Sequence, residues 1–148
     1  ANNGIPTVVV SKQELNDEAF TMALMQKYSV DFIVLAGFLM MIPSFLITHY
    51  DRRIINIHPA LIPSFCGEGY YGLRVHEAAL GYGVKVTGAT VHFVNEIPDG
   101  GRIIMQKAVA IEPDDTPETL QKRVMEQAEW IILPQSAEKV CKEITEAE

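Results

Sequence analysis

The chain has 148 residues, 48% of them hydrophobic, which is enough for one domain with a buried core. A net charge of −7 and a pI near 5.1 exclude a surface built to attract nucleic acid or an anionic membrane. The longest apolar run, residues 32–43, is too short to span a bilayer, the opening residues lack the layout of a signal peptide, and Cys66 and Cys141 form no CxxC motif, so a cytoplasmic protein with reduced thiols is expected.

Pro6, Thr7, Val8, Val9 and Val10 read as a short buried strand. Residues 11–29 read as a helix, with Leu15, Phe20, Met22, Met25 and Tyr28 apolar among polar neighbours. Residues 31–37 are apolar on both faces, the pattern of a central parallel strand covered by helices on each side. A short helix over 43–50, a strand over Ile54–His58 and a helix over 74–82 ended by Gly83 follow. This alternation predicts an α/β fold with a parallel sheet. From Val86 the pattern changes: 86–94 and 102–109 are β-rich and joined through Asp99, Gly100 and Gly101, so they are expected to pair antiparallel. Thr116, Pro117 and Glu118 open a helix as N-cap, first helical position and first-turn acid, with Leu120, Val124, Gln127 and Ile131 along one face. Beyond Pro134 a second stretch runs to about residue 146. The whole of residues 1–148 reads as a single domain.

A doubly wound sheet opens with a strand and a glycine-rich turn leading into a helix. Here Ala1, Asn2, Asn3 and Gly4 look like the end of a helix instead. The first strand-helix units, with the phosphate-binding turn they carry, are therefore expected to be missing from this chain.

The chemistry concentrates in the strand Ile54–His58 and the proline-rich segment after it. Period-two geometry puts the carboxamide of Asn56 and the imidazole of His58 on one face of that strand. Pro59 offers no ladder N–H and holds His58 extended, so both polar groups stand at the C-terminal edge, where open α/β sheets take ligands. Asn56 offers an amide N–H and protonated His58 an N–H⁺, a pair suited to an oxyanion. The plainer alternative, a strand-end Asn bonding a turn and a His covering apolar surface, stays open at this point. Asp99 reads either as a turn aspartate before Gly100 or as a carboxylate that keeps His58 charged and holds a water. His92, between Val91 and Phe93, reads as a hydrogen-bonded interior histidine. No short ligand spacing among His58, His92 and Asp99 argues for a metal.

Taken in order, Val34-Leu35-Ala36-Gly37-Phe38, Asn56-Ile57-His58-Pro59-Ala60-Leu61-Ile62-Pro63-Ser64-Phe65, Val86-Thr87-Gly88-Ala89-Thr90-Val91-His92-Phe93-Val94 and Asp99-Gly100-Gly101 resemble the glycinamide ribonucleotide transformylases, or phosphoribosylglycinamide formyltransferases. The resemblance runs from about residue 4 to residue 134. It implies a Rossmann-type, mostly parallel sheet with a C-terminal antiparallel pair. It implies formyl transfer from 10-formyltetrahydrofolate, a co-substrate, to the amino group of 5'-phosphoribosylglycinamide in purine biosynthesis, without a metal. By position it puts the catalytic roles on Asn56, His58 and Asp99. Asn56 and protonated His58 would steady a tetrahedral oxyanion while Asp99 helps to pass a proton to the leaving folate nitrogen. Thr90 and His92 fall in supporting positions. The folate's pterin head would lie against Leu39, Met40, Met41 and Ile42 and the backbone of Asn95, Glu96, Ile97, Pro98 and Asp99. Glu129 matches a glutamate near the amine substrate, although the segment from Val124 to Glu129 is one residue longer than usual.

Departures from the family pattern carry expectations of their own. Met40 stands where members often have Arg, and Leu15, Asn16, Asp17 and Glu18 include no Arg for the folate tail, which puts tail affinity in question. The expanded loop Cys66-Gly67-Glu68-Gly69-Tyr70-Tyr71-Gly72 has the glycines to move over the site. Within the superfamily, formyltetrahydrofolate deformylase typically has a second His where this chain has Pro59, and methionyl-tRNA formyltransferase has a different run there. A catalytically silent folate-binding fragment is the alternative of another class. The expected partners are the two small-molecule substrates, with no nucleic acid or membrane, and with a homodimer left open.

Overall fold

A computed structural model describes residues 3–147. The elements are α1 (Lys12–Asn16), α2 (Glu18–Lys27), β1 (Ile33–Leu35), α3 (Ser44–His49), β2 (Ile54–His58), α4 (Leu73–Tyr82), β3 (Val86–Phe93), β4 (Ile103–Ala110), α5 (Pro117–Val124), a π-helical turn (Met125–Glu129) and α6 (Trp130–Ala147). The sheet order is β1-β2-β3-β4, with β1 and β2 parallel and the other two pairs antiparallel. The class is α/β, and among the described residues parallel pairing is confined to β1 and β2. Ala1 and Asn2, read as part of a helix end, lie outside the described residues.

The first third of the chain departs most from expectation. Val8, Val9 and Val10 form no strand: within the described residues they join no ladder, and Val9 is 98% exposed. β-branched residues favour a strand only where a neighbour supplies pairing and cover. The helix expected over 11–29 is two helices because Asp17 serves both. It closes α1, and its Oδ1 accepts the Phe20 N–H at 3.0 Å to cap α2. Ser11 opens α1 in a reciprocal box, taking the Glu14 N–H at 3.2 Å and giving its own N–H to Glu14 Oε2 at 2.8 Å. Leu15, Met22 and Met25 pack on Leu46, Tyr50 and Ile54, whereas Phe20 and Tyr28 turn outward. β1 is an edge strand among the described residues, not the covered central strand expected. Its alternation sends Ile33 and Leu35 inward and leaves Val34 41% exposed.

β2 divides the interior. Ile55 and Ile57 join Ala89, Val91 and Val109 of β3 and β4 beneath Leu120, Val124, Ala128, Ile132 and Val140 of the C-terminal helices. Ile54 belongs to the separate cluster with Leu46 and Tyr50, and Asn56 and His58 continue its row toward the sheet's edge.

The buried residues of the C-terminal helices are Leu120, Val124, Ala128, Ile132, Ser136 and Val140. Each is four positions after the last, a row that drifts by about 40° per step around an ideal α-helix. The wider winding of the π turn absorbs part of that drift. It also explains why Gln127 and Ile131, expected on the apolar face, are exposed while Ala128 and Ile132 take their places. Pro134 sits inside α6 without ending it. The N–H it lacks would have met the Trp130 carbonyl, where the π turn passes into α6 and the regular hydrogen-bond ladder is already interrupted.

Candidate active site

The C-terminal end of β2, the loop over 67–72 leading into α4, the β3–β4 turn and the α5–π segment enclose one cavity of about 750 Å³. Asn56 and His58 reach it from β2, as their shared face requires. The antiparallel register sets Asn56 opposite His92 and His58 opposite Thr90. Asn56 Nδ2 lies 3.2 Å from His92 Nε2, and His92 Nδ1 lies 2.8 Å from the Phe93 carbonyl. A carbonyl only accepts, so His92 Nδ1 holds a proton, and the neutral ring takes the Asn56 N–H at Nε2. The amide's other N–H is available to a ligand. His58 Nε2 likewise donates to the Phe65 carbonyl at 2.8 Å, while its Nδ1 faces Asp99 Oδ2 at 3.5 Å, wider than a direct hydrogen bond. Asn56 and His58 thus share a face, but each already serves a protein partner.

Asp99 occupies the left-handed region at φ 53, a conformation that non-glycine residues seldom adopt. The turn folds back tightly after it: a Cβ on Gly101 would stand 1.6 Å from the Phe93 carbonyl oxygen, so only glycine fits. The Asp99 carboxylate accepts the Gly67 N–H at 2.9 Å and stands 3.5 Å from both His58 Nδ1 and His92 Nε2. Burial pushes its pKa up, but hydrogen bonding by His92 and Gly67 and the charges of the two histidines together outweigh burial and hold it below the ordinary value.

Thr90 supports from below without lining the cavity. Its hydroxyl donates to the Ala60 carbonyl at 2.7 Å and accepts from Ile62 N–H at 3.1 Å and Gln106 Nε2 at 3.0 Å. That network pins the segment which follows His58.

Leu39, Met40, Met41 and Ile42 form a wall of the cavity; Leu39, Met40 and Met41 are exposed, whereas Ile42 also packs on the Leu46, Tyr50 and Ile54 cluster. Asn95, Ile97 and Pro98 line it as well, in a turn shaped by the Ile97 N–H donating to Asn95 Oδ1 at 2.9 Å. Glu96 does not: the turn carries its side chain out to solvent. Glu129 ends the π turn and lines the cavity, and burial pushes its carboxyl up to about 6. The π turn sends Ala128 to the core and leaves Glu129 at the cavity.

The site thus brings together Asn56, His58, His92, Asp99 and Glu129 with the apolar wall and the turn at Asn95, and leaves out Thr90 and Glu96. His58, His92 and Asp99 do meet, yet among the described residues no group of three His, Cys, Asp or Glu is arranged to hold a metal ion. Tyr70 and Tyr71 line the cavity from the expanded loop, whereas the sequence patterns do not point to His76, Gln121 and Met125, which line it as well. The signal for Gln121 and Met125 is their spacing of four from each other and from Glu129, one helix face. For His76 it is a titratable ring on the buried face of α4, beside Val75 and Ala79.

The formyl transferase family model matches residues 1–136. The chloroplastic phosphoribosylglycinamide formyltransferase of Arabidopsis thaliana is 48% identical over 129 residues, 84% of this chain and 44% of that protein. The Bacillus subtilis phosphoribosylglycinamide formyltransferase is 42% identical over 112 residues, 74% of this chain and 55% of that protein. Among solved structures, phosphoribosylglycinamide formyltransferase from Anaplasma phagocytophilum aligns with a TM-score of 0.74 at 40% identity, covering 84% of this chain and 58% of that one. The chain spans about half the length of these two sequence relatives. Matched over nearly all of its own length, it belongs to the formyl transferase family.

Proposed function

We propose that the cavity is a formyl-transfer site, with 10-formyltetrahydrofolate as donor and the amino group of 5'-phosphoribosylglycinamide as acceptor, a step of purine biosynthesis. The carrying observation is the meeting of Asn56, His58 and Asp99 at one cavity, in a chain similar to enzymes of that name. The acceptor's amine attacks the formyl carbon, and negative charge grows on the formyl oxygen. The available Asn56 N–H donates to that oxygen and the positive charge of protonated His58 stabilises it from nearby, electrostatic help whose loss costs roughly a hundredfold in rate. At 3.5 Å the space between His58 Nδ1 and Asp99 Oδ2 is too narrow for a water, so the mediating water lies beside the pair, held by the Asp99 carboxylate. That water takes the proton which the amine gives up and returns one to the leaving folate nitrogen, so the proton count closes. Leu39, Met40, Met41 and Ile42 supply the flat apolar wall that a pterin ring needs, and the turn at Asn95 supplies backbone polar groups. Glu129 pairs with the acceptor's amino group, which favours the ionised carboxylate.

A deformylase would use the same donor with water as acceptor; Pro59, and not a second histidine, follows His58 here. The acidic net charge supports small-molecule partners over nucleic acid or membrane. Among the described residues no helix is long and apolar enough to cross a membrane. We assign the reaction to the cytoplasm, with a plastid as the alternative that cell fractionation decides. The functional test incubates the complete protein with the formyl donor, with and without the ribonucleotide, and measures formylated ribonucleotide and free formate. Ribonucleotide-dependent product supports the proposal. Formate released without acceptor would make it a hydrolase, and binding of a folate analogue by the 148-residue chain without turnover would support the silent folate-binding reading.

A further inference from the structure

Both ring nitrogens of His76 are buried and, among the described residues, neither has a hydrogen-bond partner. The residue is 1% exposed, yet it lines the same cavity as Asn56 and His58. Burial, and secondarily the nearby charge of His58, lowers its pKa to about 4, so the ring is neutral at physiological pH. A neutral imidazole has one N–H to give and one lone pair with which to receive. Leaving both unmet inside a protein costs stability that an apolar side chain of similar size would not. α4 packs on α5, so His76 shares that side of the cavity with Gln121 and with Glu129 beyond it.

Building on the formyl-transfer reading, we propose that His76 contacts the acceptor substrate and positions it, its two ring nitrogens, which point in diverging directions, each pairing with a separate polar group of that substrate. A carboxamide or a hydroxyl can meet one nitrogen each, as donor or as acceptor, and glycinamide ribonucleotide carries both groups. The neutral ring beside His58 also keeps a second positive charge away from the reacting centre.

The test follows the imidazole nitrogens of His76 by NMR in the complete protein, assigned through His76→Asn, as glycinamide ribonucleotide, ribose 5-phosphate or a stable 10-formylfolate analogue is added. The ribonucleotide should move both resonances. A resonance that moves with ribose 5-phosphate as well assigns that nitrogen to a hydroxyl, and one that does not assigns it to the carboxamide. No movement with the ribonucleotide, or movement with the folate analogue alone, overturns the proposal. In kinetics, His76→Phe should raise KM for the ribonucleotide by about tenfold or more with the folate KM unchanged, and His76→Asn should recover part of the loss. A fall in kcat with both KM values unchanged and a lowered Tm would show a structural role only and overturn it. Wild-type turnover in the same samples separates the failures: no turnover refutes formyl transfer, while turnover with unmoved His76 resonances refutes the His76 contact alone.

Discussion

Glu129→Gln should stabilise the unliganded protein in mildly alkaline buffer and leave its stability unchanged in acid. Burial lifts the Glu129 carboxyl from 4.5 to about 6, so the folded state holds this proton more tightly than the unfolded chain does. Stability tied to such a proton is complete below the unfolded value and is lost as the pH rises through the folded one. The shift corresponds to about 2 kcal/mol, at about 1.4 kcal/mol per unit. Glutamine has no charge to desolvate, so the variant keeps that stability at every pH. With an unfolding entropy of about 2 cal/mol/K per residue, 148 residues convert it into a Tm difference of about 6 °C. Calorimetric melts of wild type and variant, taken from about pH 4 to about pH 8, should converge at the acid end and separate by that amount at the other. Parallel melting curves across the range would refute the claim that Glu129 is held in a desolvated site.

Asp99→Asn should remove stability that wild type has above the ordinary carboxylate value and loses as the pH falls through the depressed one, so urea midpoints of the two proteins should differ at neutral pH and converge in strong acid. The same variant should shift the acidic limb of the pH–rate profile, since His58 loses its counter-charge; a profile merely scaled down would mean that the carboxylate only positions. Gly101→Ala should cost roughly 3 kcal/mol or more, because its Cβ would meet the Phe93 carbonyl, and an unchanged urea midpoint would show that the turn relaxes freely. Leu120→Ala, in the core beneath the sheet, should cost about 2–5 kcal/mol by the same measurement.

The middle of the chain was legible because local rules and tertiary demands agree there. The apolar strand Ile54–His58 ending at Pro59, the Asp99-Gly100-Gly101 turn and the Thr116 cap with Pro117 behind it each specify their geometry within a few residues. What was not legible depended on distant or cumulative geometry. Val8, Val9 and Val10 have the composition of a strand, but composition cannot supply a pairing neighbour. Asp17 ends one helix and starts another, a double duty that an apolar pattern read across it does not register. The π turn changes which residues face the core by a single position, which an apolar pattern read at ordinary helical spacing does not register. In the site, the shared face of Asn56 and His58 follows from strand period. Their engagement by His92 and Phe65 depends on cross-strand register and on the path of the loop, which the residues themselves do not announce. His76 lay hidden because a histidine among apolar neighbours in a helix looks like core until its nitrogens are seen to lack partners.

The most direct test compares the transfer rate to glycinamide ribonucleotide in the complete wild-type protein with the rates of Asn56→Ala and His58→Ala, at saturating folate donor. Both variants should remain folded and bind the folate analogue as wild type does, while kcat falls by roughly a hundredfold or more in each. Wild-type rates in either variant would remove that residue from the chemistry, and wild-type rates in both would mean that formyl transfer, if the protein performs it, happens somewhere other than this cavity.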